Sequence, residues 1–171
     1  KIWWDNKLEE LAVAATITPN FETIARFVPG SPVVLSEIHM LTDALGWAFT
    51  ETEPHVLRTQ DGGATWIDVT PPERSTAPGE AKRSASGYFL DPYLAWVVYF
   101  PEQFVGGPET LDGLSGWWTT DGSNWLTSTI RAPMDINEGG PIVRFVDEDH
   151  GWILVAFAVG AGQRGYTLLR T

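Results

Sequence analysis

The sequence predicts an all-β fold assembled from repeated antiparallel units, and three observations lead to it. Seventeen Gly and twelve Pro interrupt short runs rich in Val, Ile, Trp and Tyr, a distribution typical of strands and turns. An acidic, Gly-rich turn between β-forming flanks at residues 57–66 returns in shortened form at residues 119–125. Trp47, Trp96 and Trp152 recur at spacings of 49 and 56 residues. Helix is therefore expected to be a minor component.

The first repeat is the clearest part of the chain. Because short runs of β-forming residues are bounded by turn signals, its predicted strands are residues 33–41, 46–50, 56–59 and 65–69. Residues 71–85, rich in Pro, Ser and charge, are predicted to form a loop. Residues 1–32 form a separate N-terminal segment, in which the apolar pattern predicts short strands at 2–5 and 21–28 and a helical segment at 8–15.

One template marks the start of each repeat: an aromatic residue, an aliphatic residue, Asp, three turn residues, a small residue and Trp. It fits residues 89–96 and 145–152 closely and residues 40–47 more loosely. Four short strands per unit of this length indicate β-propeller blades, at approximately residues 33–70, 84–130 and 141–171. The later repeats are longer between their second and third strands, which predicts loop insertions at residues 101–113 and 158–165.

Three blades are too few to close a propeller, which takes at least four. We therefore expect the missing blades to come from the rest of a longer chain or from a second subunit. The third repeat also lacks its fourth strand, and the Ile2-Trp3-Trp4-Asp5 stretch resembles the Thr65-Trp66-Ile67-Asp68 strand that completes the first. The N-terminal segment is predicted to pair with a third strand, within the chain or in a partner.

The turn motif carries a family resemblance. Thr59, Asp61, Gly63 and Trp66 match the Asp-box, also called the bacterial neuraminidase repeat, Ser/Thr-x-Asp-x-Gly-x-x-Trp. The second copy, with Asp121 and Trp125, is one residue shorter between Asp and Trp, and residues 168–171 begin a third. Over about residues 33–171 the chain resembles the propeller of the photosystem II assembly factor type and its bacterial relatives. Sialidases, xyloglucanases and sorting receptors share this repeat, so the resemblance implies a fold rather than a function.

The blade topology sorts polar residues between two ends of the sheets. In the related families the Asp-box lies away from the usual catalytic face, and Asp43, Asp61, Asp91, Asp121 and Asp147 are interpreted as turn-forming. The residues 147–150 could also attract a hard cation such as calcium, but a hairpin turn explains them with fewer assumptions. The opposite, loop end is where a ligand site is hypothesised, at Arg74, Arg83, Glu102, Phe104, Glu109, Asp112, Arg131 and Arg164. Any solvated loop face carries similar residues, so a purely structural interpretation stays open.

The tryptophans are interpreted mainly as packing residues between blades: Trp47, Trp66, Trp96, Trp125 and Trp152. Trp117 and Trp118 are adjacent in a strand and must point to opposite faces. One of them is therefore expected in a blade interface or exposed, where it could stack on a sugar or a partner.

The composition argues against several classes of partner and of binding site. A formal net charge of −11 disfavours nucleic acid as a partner, and the apolar runs are too short for a membrane span. With no Cys and three isolated His, no metal site and no cofactor are predicted. The sequence favours a non-enzymatic propeller module that binds protein or glycan or acts as an assembly scaffold, in an extracellular or cell-envelope location. The alternative is a fragment of a carbohydrate-active hydrolase whose catalytic residues lie partly outside this chain.

Overall fold

The computed structural model describes residues 34–51, 53–72, 83–101, 114–130, 140–160 and 163–171. These residues form eleven strands and no helix, in three antiparallel sheets. The first sheet contains β1 (Leu35–Met40), β2 (Gly46–Thr50), β3 (Val56–Thr59) and β4 (Ile67–Asp68). The second contains β5 (Arg83–Phe89), β6 (Ala95–Pro101), β7 (Leu114–Thr119) and β8 (Leu126–Ile130). The third contains β9 (Ile142–Phe145), β10 (Gly151–Gly160) and β11 (Gln163–Arg170).

Each sheet is a meander in which consecutive strands are neighbours. This confirms the prediction of an all-β fold made of consecutive four-stranded units, the third lacking its last strand among the described residues. β2 and β3 have the predicted bounds, whereas β1 is shorter than predicted and β4 is reduced to Ile67–Asp68.

One predicted insertion takes a different form. Residues 158–165 were expected to be a loop, but β10 continues to Gly160 and β11 begins at Gln163. Ala158 pairs with Arg164, and the register shifts between Ala158 and Gly160. The extra residues therefore lengthen a hairpin instead of forming a loop, because each strand satisfies the backbone groups of the other. The other insertion, at 101–113, lies outside the described residues beyond the end of β6 at Pro101.

The sheets stack through their second-strand tryptophans. Trp47 of the first sheet stacks on Phe89 of the second, with ring centroids 5.1 Å apart and an angle of 13°. Trp96 of the second sheet stacks in the same way on Phe145 of the third, at 3.9 Å and 7°. Both tryptophans are buried, Trp47 at 0% and Trp96 at 2% exposure, and each such burial stabilises the fold by roughly 1.5–3 kcal/mol.

Trp117 and Trp118 point to opposite faces of the second sheet, as predicted. Trp117 packs with the cluster between the first and second sheets. Trp118 belongs to the cluster between the second and third sheets, together with Val143 and Ile153. Both tryptophans therefore pack between sheets. Of the two possibilities that the sequence left open, a blade interface or an exposed position, the structure shows the first.

The hypothesis that the N-terminal segment supplies a strand concerns residues outside the described ranges. The described part of the third sheet ends at β11, whose only neighbour there is β10.

Candidate functional site

The Asp-box residues of the first sheet close the turn between β3 and β4. The Thr59 hydroxyl donates to Asp61 Oδ1 at 2.9 Å and accepts the Gly63 N–H at 2.9 Å. Asp61 accepts the Thr65 N–H at 2.8 Å and the Thr65 hydroxyl at 2.6 Å. These hydrogen bonds from Thr65 lower the pKa of the Asp61 carboxyl. Gly62 and Gly63, with φ of 71° and 88°, supply the left-handed conformations that the turn requires.

The shortened copy in the second sheet achieves the same closure with one residue fewer. Thr119 Oγ1 accepts the Gly122 N–H at 3.0 Å, and Asp121 Oδ1 accepts the N–H groups of Ser123 and Asn124 at 2.8 and 2.7 Å. The Asn124 side-chain amide donates to Asp121 Oδ2 at 2.6 Å, replacing Thr65 of the first copy. Partial burial raises the pKa of Asp121, but the bonds from Asn124 and Ser123 outweigh it, and the net pKa is lowered.

In each sheet, the turn between the first and second strands is closed by one side-chain oxygen that accepts two backbone N–H groups. Asp91 Oδ1 accepts the N–H groups of Tyr93 and Leu94, and Asp147 Oδ1 accepts those of Asp149 and His150. In the first sheet the acceptor is Thr42, whose hydroxyl accepts the N–H groups of Ala44 and Leu45 at 3.2 and 2.9 Å. Asp43 lies in the same turn, but Thr42 is the acceptor because it occupies the position that Asp91 and Asp147 hold in the template.

Both kinds of turn lie at the same end of the sheets, as predicted. The Gly62 N–H donates to the Ala44 carbonyl at 2.8 Å, which joins the two turns of the first sheet. We call this the turn end, and the opposite end of the sheets the loop end.

Arg58 lies buried at the turn end, in the seam between the first and second sheets. Its guanidinium carbon is 5.0 Å from the ring centre of Tyr93 and 5.7 Å from that of Trp47. Arg58 Nε and Nη2 are buried without a hydrogen-bond acceptor among the described residues. Aromatic faces thus hold the cation in place, and the arginine before the Asp-box serves packing between two sheets.

A His–Asp pair lies at the loop end of the first sheet. His55 Nδ1 is 2.9 Å from Asp68 Oδ2, and Asp68 Oδ1 accepts the Thr70 N–H at 2.9 Å. The hydrogen bond with Asp68 raises the pKa of His55 despite partial burial. Burial raises the pKa of Asp68, but the bonds from His55 and Thr70 reverse this, and the net pKa is lowered. Sequence reasoning took His55 as isolated because Asp68 is thirteen residues away and meets it only through pairing of β3 with β4.

Most of the ligand-binding residues predicted at the loop end lie outside the described residues. Arg83 and Arg164 lie in strands, paired with Pro101 and Ala158, and their side chains are not among the described ones. The other six lie outside the described residues: Arg74, Glu102, Phe104, Glu109, Asp112 and Arg131. That ligand site stays a prediction.

An exposed apolar surface on the third sheet was missed by the sequence reasoning. Trp152 pairs with Arg144 and Arg170, and Leu154 with Ile142 and Leu168; directly paired residues share a face. Tyr166 lies on the same face. We call this surface the outer face: Ile142, Arg144, Trp152, Leu154, Tyr166, Leu168 and Arg170. The opposite face, with Val143, Phe145, Ile153 and Val155, is buried against the second sheet.

The outer face is far more exposed than the equivalent face of the second sheet. Trp152 is 36% exposed, Ile142 51%, and Tyr166 and Leu168 60% each. Trp152 was predicted to be a packing residue between blades, but no described residue stacks on it. The signal was present in the sequence as the apolar alternation of Trp152, Leu154 and Ala156 on the strand face opposite to Ile153 and Val155, since two apolar faces predict two covered faces.

Within the described ranges, no group of His, Cys, Asp and Glu has the geometry to hold a metal ion, and no helix is long and apolar enough to cross a membrane. Comparison of the chain with protein-family models, with curated proteins and with solved structures yields no match. The functional interpretation therefore depends on the residues of this chain alone.

Proposed function

We propose that this chain is a non-enzymatic protein-binding module, a segment of an Asp-box β-propeller that is exported or displayed at the cell surface. The resemblance of residues 59–66 to the Asp-box and the repeated stacking of sheets support the propeller assignment. The outer face of the third sheet is the proposed binding surface.

The observation that carries this proposal is the exposure of the outer face. Five large apolar side chains lie on one face of three strands, and four of them are substantially exposed. Contiguous exposed apolar patches on soluble proteins mark interaction surfaces. Trp and Tyr next to Arg is also the composition enriched at protein interfaces, and Trp152, Tyr166 and Arg170 supply it here.

The carboxylates at the turn end are accounted for by the turns that they close. Asp61, Asp121 and Asp147 all accept turn hydrogen bonds, and their pKa values are lowered. A general acid for glycoside cleavage needs a raised pKa, so none of these three is proposed for that role.

The test is photo-cross-linking from the outer face. Tyr166 is replaced by benzoylphenylalanine in the full chain, with the same replacement at Tyr93, an exposed turn residue, as the matched control. We expect a covalent adduct with a polypeptide from position 166, absent from position 93 and absent when Trp152→Glu is added. Failure to form any protein adduct at position 166 would overturn the proposal.

A hydrolysis and glycan-binding screen covers the alternatives. The full-length protein is incubated with a panel of glycosides and applied to a glycan array. We expect no turnover and no glycan retained through the outer face. Turnover of any glycoside would support the hydrolase instead, and glycan binding abolished by Trp152→Ala would assign the outer face to sugar.

A further inference from the structure

The same type of contact occurs in both seams, the interfaces between the first and second sheets and between the second and third. It indicates which kind of residue fits against the outer face. In each seam a second-strand tryptophan packs on the last residue of the first strand of the following sheet. Trp47 meets Phe89 in one seam, and Trp96 meets Phe145 in the other. Trp152 is the third member of this series, and its position predicts an apolar residue at the end of another first strand as its neighbour.

The first sheet has an apolar residue at this position, Met40. Among the described residues, no other sheet packs on it. Met40 ends β1 at the position that Phe89 and Phe145 hold in β5 and β9. It lies over Gly46, with its sulfur 2.4 Å from where a Cβ would be, as Phe145 lies over Gly151 at 2.3 Å. Met40 is 41% exposed and Ile38, on the same face, 57%. A thioether on an indole is a favourable contact.

We infer that the protein seated on the outer face is a second copy of this chain, docked head to tail so that Trp152 of one copy packs on Met40 of the other. This inference rests on the proposed function, because it names the partner of the same surface. The arrangement continues the established seams, since a tryptophan-bearing face again meets the front of a first strand.

The proposed contact also brings opposite charges together, because the third sheet has an arginine at the position of Arg58. Arg170 pairs with Trp152 as Arg58 pairs with Trp47. Arg58 Nη1 and the Pro92 carbonyl oxygen both lie within 3 Å of where a Cβ of Gly122 would be. The first-sheet equivalent of Pro92 is Asp43, an exposed carboxylate. In the head-to-tail contact Arg170 therefore falls beside Asp43 of the second copy, whereas two outer faces packed on each other would bring arginines together.

The contact uses the turn end of the first sheet. Ala48 and Leu57, in the middle of the same face, are already buried at 1% and 0% exposure, so the free part of this face is the β1 edge with Ile38 and Met40. Two copies related by a two-fold axis make this contact twice, so that Trp152 and Met40 of both copies are covered.

The experiment is sedimentation equilibrium of the full chain across micromolar concentrations. We expect a mass about twice the 18.9 kDa of the chain. Trp152→Glu and Met40→Glu each remove one half of the contact and should give monomers. Ile67→Glu, at an exposed site on the opposite edge strand of the first sheet, is the control and should remain dimeric. Circular dichroism of each variant establishes that it is folded.

Mixing makes the test specific. A Trp152→Glu copy retains its Met40 surface and a Met40→Glu copy retains its Trp152 surface, so an equimolar mixture should recover a dimer through one seam. Arg170→Asp and Asp43→Arg should each weaken dimerisation about tenfold, and the double variant should restore it. A wild-type monomer at all concentrations, or a dimer that Met40→Glu leaves intact, would overturn the inference.

These outcomes separate the inference from the function on which it rests. An adduct at position 166 with a different protein, together with a monomeric chain, would overturn the head-to-tail partner and leave the protein-binding function standing. The absence of any protein adduct would overturn both. An adduct from position 166 to the first sheet of a second copy would support both.

Discussion

The second and third sheets present the same tryptophan face to opposite environments. Trp96 is 2% exposed and stacked on Phe145, whereas Trp152, at the same place in its own strand, is 36% exposed. Both residues follow a small residue and a turn closed by an Asp, and both project away from the preceding sheet. The difference lies in the neighbour alone. The repeat sets the direction of the side chain, and the presence of a further sheet determines whether it is core or surface.

The comparison shows how a repeat protein carries its own binding surface. A stacked sheet needs an apolar residue on both faces, because each face meets a neighbour. Where no further sheet is described, as beside the third sheet, the same residue is exposed without any change in its sequence pattern. The outer face is therefore made by the rule that makes the core, and its specificity comes from the residues around it, such as Arg170.

The strongest test of the comparison is truncation of the two tryptophans. Trp96→Ala removes a buried ring and leaves a cavity against Phe145, and we expect it to lower the free energy of unfolding by about 3–5 kcal/mol. Trp152→Ala removes a partly exposed ring and should cost less than about 1 kcal/mol in the isolated chain. Urea denaturation followed by circular dichroism, at concentrations below those used for association, measures both.

Equal losses would break the comparison. If Trp152→Ala destabilised the isolated chain as much as Trp96→Ala, the outer face would be part of the core and not a docking surface. Leu168→Ala, on the neighbouring strand and 60% exposed, is a second check of the same face and should also be mild.

Two glycines in equivalent turns give the next largest contrast. Gly122 has φ of 74°, and a Cβ there would lie 2.9 Å from the Pro92 carbonyl oxygen and 2.7 Å from Arg58 Nη1. Gly63 has φ of 88°, and the three atoms nearest to a Cβ there all belong to Trp66, the closest at 3.5 Å, an ordinary contact distance. Both substitutions to Ala carry the strain of a left-handed residue, about 1 kcal/mol. Only Gly122→Ala also crowds a backbone carbonyl of its own sheet and the Arg58 guanidinium of the first sheet.

We therefore expect Gly122→Ala to destabilise the chain by about 2–3 kcal/mol and Gly63→Ala by about 1 kcal/mol. Thermal or urea unfolding of the two variants provides the measurement. Equal losses would mean that the turn of the second sheet does not pack on the first sheet as described, and that Arg58 is free to move aside.

The turn chemistry was the most predictable part of the fold. Asp61 and Asp121 were placed from local spacing, since the residues that they bind are within four positions along the chain. Thr42 was missed because Asp43 stands beside it and is the commoner turn acceptor. Local hydrogen bonding is encoded within a few residues, so a sequence pattern can identify it.

The pairings between distant segments were less predictable. The contact of His55 with Asp68 and the aromatic neighbours of Arg58 depend on which strands and sheets meet. The exposure of Trp152 depends on a sheet that is not present among the described residues. These features are set by the relative position of sheets, which a period of about fifty residues suggests only in outline.

The two ends of the first sheet should differ in their response to pH, and this is the smallest effect expected. His55 has a raised pKa in the fold, so its contribution to stability is present below its unfolded pKa of 6.5 and is lost as pH rises through the higher folded value. Asp68 has a lowered pKa, so its contribution is present above 3.8 and is lost as pH falls through its folded value. The pair should therefore stabilise the loop end most between these two limits.

Because His55 is partly exposed, we expect only a few tenths of a kcal/mol to be lost as pH rises above 6.5 through the raised pKa of His55. His55→Asn and Asp68→Asn should each flatten this part of the stability profile, measured by urea unfolding across the pH range. Asp61→Asn at the turn end is the matched control: it should lower stability but leave the slope above pH 6 unchanged, because the lowered pKa of Asp61 keeps that carboxyl ionised throughout. A slope that persists in His55→Asn would assign the titration to another group and separate the loop end from the pH response.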